Sequence, residues 1–209
     1  MSEEIGRILR ANTTGFAFGC RVNQLQHPRF GGLVRVETGS EAIYGLIWNI
    51  NVDDDPLVRR LIMAETLTRN IVDDQRQNRL LPVEMQVLAL GFSADGTLTH
   101  GFPPRPPLNL DPVFNVDDPA EAIRFSDTPH YLRLILRAEG IGVPVDQLLV
   151  AHIRALYHLR GRDEAWLHQV IGEVIELLRS NYDVLVPTLE ALSQALPTVA
   201  HIVPKEGWQ

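Results

Sequence analysis

Lysine and cysteine are almost missing from this 209-residue chain. Of its 19 basic residues 18 are arginine, the one lysine is Lys205, and the one cysteine is Cys20. A phosphate-binding loop needs a Gly-Lys-Ser/Thr run whose lysine reaches the β/γ-phosphates. Lys205 lies instead between Pro204 and Glu206. Schiff-base chemistry would fall to that same residue. A single cysteine makes no intrachain disulfide, no CxxC redox pair and no multi-cysteine zinc site. Long apolar runs are lacking too: Val87–Leu90 and Leu148–Ala151 fall far short of a membrane span. No secretory signal is visible in MSEEIGRILR, so a cytoplasmic protein is expected.

What is present is ordinary globular composition, 45% hydrophobic and 22% charged, with a net charge of −7. The charge is uneven. Residues 1–110 hold 11 arginines against 12 acids, whereas residues 111–209 hold 8 basic groups against 14 acidic ones. That acidic half disfavours a broad polyanion-binding surface.

The periodicity changes along the chain. Ile5–Ala11, Phe16–Val22, Leu33–Thr38, Ala42–Asn51, Val83–Gly91 and Thr97–His100 are short, rich in β-branched or aromatic residues, and bounded by turn formers. They predict six strands. Glycines at this density suit the sharp bends of a small closed barrel. Asp95-Gly96 predicts a type I′ hairpin. One helix interrupts the strands, with Asp55 as its cap and Pro56 in its first turn. The acids Asp53, Asp54 and Asp55 suit that helix start better than a metal site.

His100–Val113 carries five prolines in fourteen residues and reads as an extended linker or strap. Pro104 and Pro107 match a P-x-x-P ligand, though a plain connector explains them. Beyond it the period turns helical. Helices are expected from Asp118-Pro119, over Pro129–Glu139 and Pro144–Arg160, from Asp163 to about Tyr182, and over Pro187–Leu196. Short connections imply antiparallel packing. The expected fold is α+β: a small six-stranded β-barrel over 1–100, a Pro-rich linker over 101–117 and an α-helical bundle over 118–209.

Catalytic constellations are sparse. The chain has no Gly-x-Ser-x-Gly, His-Glu-x-x-His or Gly-x-Gly-x-x-Gly. His152 and His158, six residues apart, fall on different helix faces. Glu164 and His168 share a face, but one such pair is too little for zinc. Glu173-x-x-Glu176 lacks the histidine of a di-iron motif. Asp127-Thr128-Pro129 reads as a helix start. Cys20 suits a small core residue better than a nucleophile. Arg7, Arg10, Arg21, Arg29 and Arg35, near Phe16, Phe18 and Phe30, have the composition of a nucleic-acid-binding barrel face, or of strand faces alternating with core. No catalytic, cofactor-binding or metal residue is assigned, and no cofactor is expected.

Ile5-Gly6-Arg7-Ile8, Phe30-Gly31-Gly32-Leu33-Val34-Arg35-Val36 and Ile43-Tyr44-Gly45-Leu46-Ile47 together resemble the HAS-barrel over about residues 3–100. That barrel stands at the N-terminus of HerA-type DNA-translocating ATPases and of the ATP synthase α and β subunits. The resemblance implies a collar that packs side by side and contacts partners, while hydrolysis belongs to a following ATPase domain. It carries over Gly6, Gly32 and Gly45 as structural positions only. The function expected is a non-enzymatic assembly or adaptor module, self-associating or accessory to such an ATPase. An RNA- or DNA-binding barrel using the arginine-bearing face is the alternative. An enzyme with a site built around Glu164, His168 or Cys20 is the third reading.

Overall fold

The computed structural model describes residues 3–21, 26–39, 41–54, 56–63, 68–77 and 82–202. The strands are β1 (Glu4–Asn12), β2 (Gly15–Cys20), β3 (Leu33–Thr38), β4 (Glu41–Asn51), β5 (Val83–Ala94), β6 (Thr97–His100) and β7 (Pro112–Asn115). Six of them close a barrel of entirely antiparallel pairs in the order β2-β1-β7-β3-β4-β5, with β5 returning to β2. The six-stranded barrel followed by helices is the expected architecture, but the sixth strand is not the expected one.

Thr97–His100 pairs with the far end of the long β5, whose other edge pairs with β4, so it is a seventh strand outside the closed wall. Both turn residues have positive φ, 49° at Asp95 and 77° at Gly96, as the type I′ turn requires. The closing strand is β7, which lies inside the stretch expected as linker. It enters between β1 and β3, pairing Val113 with Gly6 on one side and with Val36 on the other. Pro112 opens the strand, a position at which a ring nitrogen without a proton is tolerated. The rest of the proline segment is a strap on the barrel wall. Pro103 and Pro107 are buried, and the Leu110 amide donates to the Ile8 carbonyl at 2.9 Å. With Pro107 buried, the P-x-x-P pattern is not presented as a free ligand.

Alternation along the strands makes two cores. Inward residues Ile5, Ile8, Phe18, Val34, Val36 and Met85, with others, fill the barrel and leave it packed. Gly45 permits the close approach of β4 and β5, since a Cβ there would fall 2.4 Å from Val87 Cγ1. Outward residues Leu33, Tyr44, Leu46, Leu88 and Leu90 belong to a second core shared with the helices. The two halves are therefore docked through one continuous apolar layer.

Two helices, α1 (Pro56–Ile62) and α2 (Arg69–Gln77), lie between β4 and β5; only the first was expected, and its cap Asp55 lies outside the described residues. The C-terminal half comprises α3 (Pro119–Ser126), α4 (Leu132–Leu136), α5 (Val145–Leu159), α6 (Glu164–Leu178), α7 (Tyr182–Ala195) and α8 (Val199–Ile202). Asp118 caps α3 and Asp163 caps α6, accepting from the amides of Ala120 and Trp166 at 3.2 and 3.0 Å. The helix expected over 129–139 is broken, with short 3-10 turns at Pro129–Tyr131 and Arg137–Ile141 on either side of α4. Pro187 lies inside α7 rather than opening it, so that helix begins five residues early. Among the described residues no helix is long and apolar enough to cross a membrane.

Candidate functional site

The seam between barrel and helices gathers most of the buried polar groups. Helix α5 is amphipathic, with Leu148, Leu149, Ile153 and Leu156 on its buried face and His152 among them. His152 is wholly buried. Its Nδ1 lies 3.4 Å from the Gly31 carbonyl oxygen and its Nε2 lies 2.9 Å from the Tyr131 hydroxyl. A carbonyl only accepts, so Nδ1 carries the proton and Nε2 accepts from the phenol. Burial pushes the imidazole down to about 4 and the Tyr131 phenol well above its ordinary value. Both stay neutral at pH 7, which is what a dry seam requires.

Gly31 belongs to the turn that leads into β3. Its φ is 78°, and a Cβ added there would stand 2.6 Å from Ala151 Cβ on α5. Its amide donates to the Ile47 carbonyl at 2.8 Å, so the same residue is fastened to the barrel and to the helix. A run of rings continues the seam: Tyr44, Phe125, Tyr131 and His152 stand in sequence with centroids 5.0–5.6 Å apart. His100 packs against Phe125 and Tyr131, and its Nε2 donates to the Phe125 carbonyl at 2.8 Å.

A second polar contact ties β3 and β4 to α3. Arg35 Nη1 lies 2.7 Å from each Glu121 carboxylate oxygen, and the Tyr44 hydroxyl donates to the same carboxylate at 2.9 Å. Glu37 takes the other guanidinium nitrogen at 2.9 Å. Burial, followed by the Glu121 carboxylate, raises the Tyr44 phenol. Arg160, at the end of α5, makes a third such contact. It donates to Ser126 Oγ at 3.0 Å and lies 5.0 Å from the centre of the Trp166 ring.

Of the residues singled out from the sequence, Arg29, Phe30, His152 and His158 line one groove, and the others are not brought together. Cys20 faces the packed barrel interior, 3% exposed, and burial raises its thiol to about 11. Glu164 and His168 are exposed on α6. Glu173 meets His130, not His168, at 3.1 Å. His158 is exposed while His152 is buried, as their spacing implies. Phe16 and Phe18 point into the barrel and offer no stacking surface. Of the arginines near them, Arg7 pairs with Glu4, Arg10 with Glu84 and Arg35 with Glu121. Among the described residues no three His, Cys, Asp or Glu side chains gather as a metal site.

A groove opens on the solvent side of the seam, about 600 Å³ in volume, between the turn before β3 and the outer face of α5. The spacing Ala151, Arg154, Ala155, His158 places these four on one helical face, and the two alanines leave room. The sequence names Arg29, Phe30, His152 and His158 but not their meeting, because the 26–32 turn and α5 are more than a hundred residues apart. The visible signal was a histidine within the apolar run of α5. Compared with known proteins, the chain matches no protein-family model and no curated protein.

Proposed function

We propose that the chain is a non-enzymatic assembly or adaptor module whose barrel contacts other proteins, in keeping with its resemblance to the HAS-barrel. The partner is a second copy of the chain or a HerA-type ATPase. The observation that carries this reading is Leu110. Its φ is 72°, a conformation that costs a leucine about 1–2 kcal/mol, yet its side chain is 67% exposed and gains little from burial. Leu108 beside it is 71% exposed. The turn is held firmly: Asp111 accepts from the Leu108 amide at 2.8 Å, and Arg7 donates to the Leu110 carbonyl at 3.0 Å. A strained backbone that keeps two leucines exposed side by side supports a contact role for this turn.

Light scattering after size exclusion, with and without a HerA-type ATPase, tests it. The intact chain is expected to associate, and the double variant Leu108→Asp/Leu110→Asp to remain a folded monomer. An intact chain that stays monomeric and binds no ATPase would count decisively against the proposal.

A further inference from the structure

The groove along α5 carries an arginine on each of its two walls. Arg29 on the turn and Arg154 on the helix both line it, both are exposed, and neither has an ion-pair partner among the described residues. Arg7, Arg10, Arg35, Arg59, Arg160 and Arg179 are each matched with an acid, and other exposed arginines such as Arg105 and Arg133 lie outside the groove. The groove's acid is Asp117, on the segment after β7. Two guanidiniums against one carboxylate leave it locally positive in a chain whose net charge is −7. Phe30, 37% exposed, adds an aromatic surface, and His158 adds a ring nitrogen.

We propose that this groove binds a small organic anion: a phosphate or carboxylate on a molecule that also bears a flat ring. The anion sits between Arg29 and Arg154, whose planar forks match either group in a bidentate manner. The ring lies against Phe30, and Asp117 accepts from a donor on the ligand. The volume falls within the range of small-molecule sites, and the junction of two substructures is where such sites occur. A long polyanion is disfavoured by the acidic helical half around the groove. The inference is independent of the assembly reading, because the groove and the Leu108–Leu110 turn share no residue.

Calorimetric titration at low salt tests the proposal with four probes: adenosine monophosphate, salicylate, adenosine and inorganic phosphate. At least one of the two ring-bearing anions is expected to bind saturably at one site per chain. Adenosine and phosphate are expected to bind at least about tenfold more weakly. Arg29→Gln/Arg154→Gln should weaken the ring-bearing anion by about tenfold or more, while Arg105→Gln, an exposed arginine outside the groove, leaves it unchanged. Phe30→Ala should weaken the same probe and leave phosphate unaffected. Circular dichroism of each variant checks that the fold is kept. No saturable heat with either ring-bearing anion would overturn the inference, as would phosphate binding equally well or the arginine double variant binding as tightly as the parent.

Discussion

The Tyr131 hydroxyl lies 2.9 Å from Nε2 of His152, and both side chains are completely buried. The imidazole must therefore fold neutral. In the unfolded chain it takes up a proton below about pH 6.5, but in the folded protein only near 4. Between those values the unfolded state holds more protons, so stability is complete above about 6.5 and declines as the pH falls toward 4. The expected loss is about 3 kcal/mol from this residue. His100, held below its ordinary value chiefly by burial, adds a loss of the same sign. Urea melts from pH 7.5 to 4 should show a shallower decline in His152→Gln than in the parent; parallel curves would refute the assignment.

Glu121 holds Arg35 and Tyr44 together. Glu121→Ala leaves the Tyr44 hydroxyl without its acceptor and Arg35 with Glu37 alone, and the expected cost is about 2 kcal/mol by denaturant unfolding. Tyr44→Phe removes only one neutral donor and should cost about 1 kcal/mol. In a double-mutant cycle, Arg35 and Glu121 should couple; independent, additive losses would show that the contact is not made in solution.

Gly31→Ala meets two obstacles at once, a positive φ and the nearby Ala151 methyl. A loss of about 2 kcal/mol or more is expected, measured by thermal melting. Gly31→Ala combined with Ala151→Gly should recover only the part due to the methyl, since Ala151 C and His152 N also lie 3.0 Å from the added Cβ.

Leu110→Asn should raise stability by about 0.5–1 kcal/mol, because asparagine tolerates the left-handed conformation and little burial is lost. The same change should weaken association. Stability falling instead would mean that the exposed leucine is packed.

Cys20 should be inert to a disulfide reagent such as 5,5′-dithiobis(2-nitrobenzoate) in the native protein at pH 8 and react fully in guanidinium. Rapid native reaction would place it at a surface, contrary to its position in the barrel.

Much of this architecture was legible because each half has its own period. The strand pattern of Leu33–Val36 and the helical pattern around Leu148–Leu156 announce different folds, and Asp118 and Asp163 mark helix starts by their chemistry. Strand β7 was not legible. Pro112-Val-Phe-Asn follows a proline-rich stretch and is only four residues long, too short for alternation to show. What makes it a strand is the slot between β1 and β3. Similarly, Pro187 marks the start of a helix on local grounds, yet packing of Leu185 extends α7 back to Tyr182. The His152–Gly31 contact joins residues 121 apart, and no local pattern encodes such a meeting.

Placing β7 in the wall of the barrel has a consequence for synthesis. The chain is delivered N-terminus first, and β1 and β3 cannot be bridged until residues 112–115 arrive. Until then the nascent barrel is an open sheet with two exposed edges, each able to accept the corresponding segment of a neighbouring chain. A fragment ending at residue 100 is thus an incomplete barrel, and the strap doubles as its last stave.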